Sequence, residues 1–401
     1  LPGDLCRDAV ELLARLAAES SPSDDPEALA RMAAVLAAEL AARGLQVTLR
    51  DEPDEHGVEL PVVEAATPAA TAGALPLPIL LIGHFDTVLP AAAPRRDGGR
   101  LFATGAIDMK GGIAAFLKAL DLLARRGVAP PALRLVLVPD EEVGGAISRR
   151  AVARAGAAAS ALWVLEPGER RGAGETLVTG RRGMFHWRLA VRGRTSHSGL
   201  AFWQGRSALL AATEWIGQAA ALSRPQGGPT VNVARMVAGE EGLVQAAAPR
   251  LLSAAAAAGS TVGATFGTAH QLNVVPDRAL VEGEARFLRA GEAIRLGEEM
   301  AAMAAVIGER LAVSMDFTRD SAIPPVDPAD LPRDHADLAV ELAAAAGWEL
   351  VREDDRGGIS FPNFLAQPGR IPVLDGLGPV GAGMHTREEH VELVSLSRRI
   401  R

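Results

Sequence analysis

The stretch Pro78-Ile-Leu-Leu-Ile-Gly-His-Phe-Asp-Thr87 decides how the rest of the chain is read. Its apolar run is short, continuous and bounded by breakers, as in a strand buried on both faces. His84 and Asp86 follow it at once. The pattern then repeats. Residues 133–138, Leu-Arg-Leu-Val-Leu-Val, lead into Asp140-Glu141-Glu142, and residues 162–165, Leu-Trp-Val-Leu, lead into Glu166-Pro167. Residues 111–126 and 145–155, lying between these runs, carry helical apolar spacing. Alternating strands and helices predict an α/β domain whose mainly parallel sheet is flanked by helices. In such a sheet the carboxyl ends of the strands form the ligand crevice, so His84, Asp86, Glu141, Glu142 and Glu166 gather at one edge. Asp108, in Gly105-Ala-Ile-Asp108-Met-Lys-Gly-Gly112, precedes a helix and belongs at the same rim.

Upstream, residues 4–19 and 26–43 have helical spacing, with Ser23 or Asp25 as the cap of the second helix and Gly44 as its stop. A strand is expected at 45–50, and a loop or irregular edge strands over 51–78, which is rich in Pro, Gly and acids. Near Gly180 the pattern changes. Residues 185–192 and 279–287 alternate like strands with one wet face, and 205–221 and 293–311 read as helices. These predict a separate α+β domain at 181–318, inserted between a first part at 1–180 and a second part at 319–401. The second part returns through a helix at 335–346 and a strand at 371–374. The Ala-rich segment 239–267 is an insertion of unknown structure.

Composition narrows the function. Of 401 residues, 48% are hydrophobic and 22% charged, which excludes disorder, collagen and coiled coil. No run of about 20 strongly apolar residues predicts a membrane span. The net charge of −8, with no basic run, leaves no footprint for nucleic acid. A single cysteine, Cys6, excludes intramolecular disulfides and makes a thiolate zinc site implausible. The cytoplasm is the expected compartment; because the chain starts Leu-Pro-Gly-Asp without an initiator Met, periplasmic or secreted locations stay open.

Taken singly, these groups have plain readings. His84 reads as a strand-end cap, Asp140-Glu-Glu142 as acids on a helix dipole, and Glu166 as a loop acid. Together, at three successive strand ends, they crowd several carboxylates into one crevice. Leaving such charges bare costs several kcal/mol per ion, so some protonate or a cation neutralises them. Imidazoles among carboxylates suit zinc or a similar ion better than calcium or magnesium. A carboxylate between two metals is the arrangement of a dinuclear hydrolase. The His-x-Asp spacing lets Asp86 hold the imidazole tautomer of His84. No Gly-x-Ser-x-Gly elbow occurs, which disfavours a serine hydrolase.

The motifs Gly83-His84-Phe-Asp86-Thr87, Gly105-Ala-Ile-Asp108-Met-Lys-Gly-Gly112, Asp140-Glu141-Glu142-Val-Gly144, Leu165-Glu166-Pro167, Thr195-Ser-His197-Ser-Gly199 and Gly381-Ala-Gly-Met-His385-Thr386 together are highly specific. They resemble the dinuclear zinc peptidase family of glutamate carboxypeptidase, acetylornithine deacetylase and succinyl-diaminopimelate desuccinylase, from about residue 8 to the end. The resemblance implies two Zn2+ ions, with Co2+ or Mn2+ as possible substitutes, bridged by Asp108. His84 and Glu166 complete one site; Glu142 and His385 complete the other. Asp86 orients His84, and Glu141 is the general base that moves a proton from the bridging water to the leaving amine. Only the resemblance points to His385; its neighbour His390 reads as a helix-face residue. The peptide Asp108-Met109 is expected to be cis.

The inserted domain corresponds to the family's lid and dimerisation domain, which implies a homodimer. His197 is implied to reach the partner's active site and steady an oxyanion. Asn273 and Arg286 match lid positions that hold a substrate carboxylate, a task suited to a guanidinium fork. Gly358 lies in the segment by the substrate pocket, where the family has Gly-Gly-Gly-Ser/Thr-Asp. Here Ile359 replaces a glycine and Phe361 the aspartate, so the pocket is altered. Glu166, rather than Asp, looks more like the carboxypeptidase and deacylase branches than the aminoacylase or tripeptidase ones. The expected reaction is hydrolysis of the amide bond of an N-acyl amino acid or of a peptide with a free C-terminal carboxylate. The alternatives are a related acyl transfer or condensation, and a non-catalytic ligand-binding relative.

Overall fold

The three apolar runs form neighbouring strands of one six-stranded sheet. The order is Gln46–Pro53, Glu59–Ala66, Leu133–Val138, Ile79–His84, Ala161–Val164 and Val373–Leu374. The last three pairings are parallel and the first two antiparallel. The computed structural model describes residues 3–71, 77–225, 227–242, 244–245 and 272–401. Most of the Ala-rich 239–267 insertion therefore lies outside the described residues. Among those described, no helix is long and apolar enough to cross a membrane.

One compact unit comprises Leu1–Arg181 and Val326–Arg401, and contains this sheet. The strands Ile79–His84 and Leu133–Val138 are almost wholly buried because apolar residues fill both faces. Leu13, Leu29, Leu117 and Ile147, from four helices, join Leu81, Ile82, Leu137 and Val164 in a single core. Each such fully buried side chain is worth about 1.5–3 kcal/mol relative to exposure. Residues 51–78 differ from expectation. Glu59–Ala66 is a regular strand inside the sheet, with Leu60, Val62, Val63 and Ala65 buried. Pro61 and the flanking acids hide this run, but Glu64 is matched by Arg50 and Arg154 at 3.2 and 2.9 Å. Asp25, not Ser23, caps the helix Pro26–Ala41, accepting from Ala28 N at 2.9 Å.

The second unit is Arg182–Pro325. Its antiparallel sheet runs Thr230–Gly239, Arg278–Phe287, Gly183–Arg192, Ser314–Arg319. Inward Phe185, Trp187, Leu189, Val281 and Phe287 pack on Trp215 and Leu296 of the helices Ala208–Ala220 and Ala290–Leu311. The indole of Trp215 donates to Met300 O at 3.0 Å. The strand Thr230–Gly239 escapes sequence reading because a bulge between Val233 and Arg235 breaks its alternation. This unit ends beyond the expected residue 318, because Ile323 pairs antiparallel with Met184, with N–O distances of 2.8 and 3.1 Å.

Candidate metal centre

His84 closes the strand Ile79–His84 and is fully buried. Gly83 beside it leaves room for the Met109 side chain, whose Cε a Cβ there would meet at 2.5 Å. His84 Nε2 lies 3.1 Å from Asp108 Oδ1 and 3.8 Å from Glu166 Oε1. His385 Nε2 lies 3.4 Å from Asp108 Oδ2 and 3.1 Å from Glu142 Oε2. Asp108 thus offers one oxygen to each imidazole. The ligand atoms of His84, Asp108 and Glu166 lie within 4.8 Å of one another, as do those of Asp108, Glu142 and His385. All five residues belong to the first unit.

The electrostatics match a cation site. Burial, then the charge of Asp108, pushes the Glu142 carboxyl up to about 7. The same two causes hold Glu166 well above the usual carboxylate range. Burial opposes charge on His84, but its bonds to Asp108 and Asp86 outweigh this and raise it. The bond to Asp108 raises His385 to about 9. Two nitrogens and several carboxylate oxygens converging this way fit a pair of zinc-like divalent ions.

Asp86 supports both halves. His84 Nδ1 lies 3.1 Å from the Asp86 carbonyl oxygen and 3.3 Å from Oδ1, which fixes its proton and leaves Nε2 for a cation. The Asp86 carboxylate accepts from Glu141 N at 3.2 Å, Glu142 N at 3.1 Å and Ser23 Oγ at 2.8 Å. It therefore anchors the 3-10 turn Glu141–Val143 that carries Glu141 and Glu142. Burial raises the Glu141 carboxyl; His84 offsets this in part, while Asp108 and Asp86 add to it. Asp140 faces away, accepting from Ile147 N and Ser148 N at 2.6 and 3.0 Å at the start of the next helix. The peptide Asp108-Met109 is cis.

Several supporting residues escaped the sequence reading. Buried Glu389 accepts from Gly105 N, Ile107 N and Asp108 N at 2.8, 3.0 and 3.1 Å. Nothing in its spacing separates it from its neighbour Glu388. Buried Arg181 pairs with Asp375 through Nε and donates from Nη1 to Gly358 O at 3.1 Å. Its place in Gly180-Arg-Arg-Gly183 was the only available signal. Buried Lys110 donates from Nζ to Glu19 O at 2.7 Å, and burial lowers it to about 8.

Gly358 enters through its carbonyl; a Cβ there would meet Arg181 Nη1 only at 3.7 Å, an ordinary contact. Phe361 is fully buried, its ring centroid 6.4 Å from that of His84, so an apolar wall stands at the position where the sequence departs from the family's aspartate. His390 is not on a helix. It lies in the strand His390–Glu392, with its ring centroid 4.7 Å from that of Phe102.

The second unit holds the other candidates. Exposed His197 accepts at Nδ1 from Gly199 N and Leu200 N at 3.1 and 3.2 Å, which places its proton on Nε2. That nitrogen lies 3.1 Å from the side-chain amide of Asn273, which accepts its proton with the amide turned to present its oxygen. The Arg286 guanidinium grips both oxygens of Glu284, at 2.8 and 3.1 Å.

Comparison with known proteins gives the same direction. The description "Peptidase family M20/M25/M40" matches residues 80–401. Carboxypeptidase G2 of a Pseudomonas species is 27% identical over 332 residues, covering 80% of this chain and 71% of its own. Succinyl-diaminopimelate desuccinylase of Acidiphilium cryptum is 39% identical over 127 residues, covering 29% of this chain and 33% of its own. Among solved structures, aminopeptidase PepT of Bacillus cereus superposes with a TM-score of 0.76 at 20% identity, covering 98% of this chain and 96% of its own. A dinuclear metal-binding peptidase of the M20 family from Bacillus subtilis gives 0.64 at 16% identity, covering 99% and 96%. At these identities the solved structures speak for the fold.

Proposed function

From the premise that the chain belongs to peptidase family M20/M25/M40 and is a hydrolase, we propose that it cleaves the amide bond of an N-acyl amino acid, or of a peptide with a free C-terminal carboxylate. The observation that carries this reading is Asp108, with one oxygen toward His84 and the other toward His385. His84, Asp108 and Glu166 would hold one zinc ion, and Asp108, Glu142 and His385 the other; Co2+ or Mn2+ are substitutes. When bound, such a pair supplies a water of lowered pKa and a Lewis acid for the scissile carbonyl.

The remaining work falls to the chain's own groups. Glu141 takes a proton on its carboxylate and later hands it to the leaving amine nitrogen. Burial, with the charge of Asp108, lifts that carboxyl toward the range of a working base. Asp86 keeps the His84 proton on Nδ1 and holds the Glu141 main chain. His197 donates from Nε2 to the developing oxyanion of a partner copy, which makes a homodimer the working assembly. Asn273 and Arg286 hold the substrate carboxylate, Arg286 sharing its fork with Glu284. The Gly358 segment borders the substrate. The apolar wall at Phe361 favours one second reading, transfer of the acyl group to an amine in place of water.

A hydrolysis screen tests this, using N-acyl and N-aminoacyl amino acids with varied C-terminal residues, with and without an added amine. Turnover that requires a free carboxylate, stops with a chelator and returns with Zn2+ is expected. A chelator-insensitive activity, or none, would overturn the reading.

A further inference from the structure

The two metal positions do not rest on equal supports. His84 ends a buried strand and Glu166 follows directly on another, so the first position is built on the sheet. The second depends on Glu142, in a 3-10 turn, and on His385, which is half exposed in a loop at φ +63°. Asp86 links His84 to the turn of Glu142, but Asp108 alone faces His385 as well as His84, and Asp108 lies in a connecting segment rather than a strand. Something must therefore fix Asp108 relative to His385.

Glu389 occupies the place where that can be done. Its Oε2 accepts from Gly105 N at 2.8 Å, and its Oε1 from Ile107 N and Asp108 N at 3.0 and 3.1 Å. Its main-chain oxygen accepts from Ala103 N at 3.1 Å, so residues 103–108 are stitched to it along their length. On its other side a tight turn leads back to His385: Thr386 N donates to Gly383 O at 3.1 Å, and Glu389 N to Thr386 O at 3.3 Å. Hydrogen bonds from main-chain N–H groups to a charged acceptor are short and strong, and inside the protein they are poorly screened. One buried carboxylate thus ties the bridging aspartate to the loop bearing the exposed histidine.

We propose that Glu389 is a positioning residue that sets the second metal position, Asp108–Glu142–His385, selectively over the first. This rests on the reading of Asp108 as the bridge. His84, the partner of Asp108 at the first position, is fixed by the sheet and by Asp86, so that contact is expected to tolerate the loss of Glu389 better. The alignment of Asp108 with His385 has no other tether of this kind among the described residues.

The test is a metal titration of the metal-free full chain with Co2+ in competition with a chromophoric chelator. The visible absorption of the bound Co2+ reports the coordination of each position, and thermal unfolding is followed on the same samples. Wild type should take two ions. Glu389→Gln should keep the first ion with near wild-type affinity and weaken the second by roughly 10–100-fold, the usual cost of losing an outer-shell partner. Its metal-free melting temperature should fall, since at least one buried main-chain N–H loses its acceptor, with the chain still folded at the titration temperature. Glu389→Asp keeps the charge but retracts it by about one bond, ~1.5 Å; it should show the same selective weakening, and it stands in if the Gln variant fails to fold. Equal weakening of both ions, or of neither, in the folded variant would overturn the proposal. A wild-type chain that binds no pair of ions would instead overturn the dinuclear reading beneath it.

Discussion

The Asp86 carboxylate accepts the main-chain N–H of Glu141 at 3.2 Å, so the residue bonded to the His84 ring also seats the proposed proton carrier. Asp86→Ala should therefore damage two functions at once. We expect a loss of roughly 10–100-fold in metal affinity and a drop in kcat beyond what the metal loss explains. Metal analysis alongside steady-state kinetics at saturating Zn2+ separates the two. Full recovery of kcat with excess metal would show that the link to Glu141 is idle.

Glu141 touches neither imidazole within ion-pair distance, unlike Glu142 and Glu166. Glu141→Gln should retain metal and lower kcat by at least ~10²–10⁴-fold, the usual contribution of a positioned acid–base. Wild-type turnover in this variant would remove the proton-transfer role.

Metal removal should cost stability as well as activity. A ligand held at 100 times its dissociation constant adds about 2.7 kcal/mol to the folded state. Adding Zn2+ to chelated protein should thus raise the melting temperature, with a break near two ions per chain. A melt indifferent to Zn2+ would contradict the centre.

His197 reaches the reaction, in this reading, through a proton on Nε2. His197→Ala should lower kcat by roughly 10²–10³-fold, as for loss of one oxyanion donor, with KM less affected. Because the residue is exposed, the melting temperature should not move. A change confined to KM would assign it to substrate binding instead.

Arg181 and Asp375 form a buried pair. Asp375→Ala leaves a guanidinium buried and half-satisfied, and should destabilise the chain by about 3–5 kcal/mol. Denaturant titration measures this; a loss under ~1 kcal/mol, the range of a surface pair, would mean that water reaches the arginine.

The sheet was legible where apolar residues fill both faces of a strand. Leu133–Val138 is read from its sequence to the residue, and the strands before His84 and Glu166 within a residue or two. Glu59–Ala66 was not, because Pro61 and the acids around it mask the run, and Glu64 is neutralised by arginines distant in sequence, which no local pattern reveals. In the second unit a bulge erased the alternation of Thr230–Gly239. At the centre, ligands that directly follow strands could be argued from the fold. His385 could not; it sits in a loop 277 residues beyond Asp108, and motif resemblance alone pointed to it. Glu389, Arg181 and Asp375 act through main-chain groups or through each other, and Ser23 through the Asp86 carboxylate, so their roles emerge only once the backbone is folded.

The family match begins at residue 80, yet Ser23 touches Asp86, and the carbonyl of Glu19 receives the ammonium of Lys110. The segment joining the two opening helices is therefore wired into the candidate metal centre rather than appended to it. Trimming the protein to its recognisable portion would strand a lysine in the interior and untether the aspartate on which both the imidazole and the acidic turn lean.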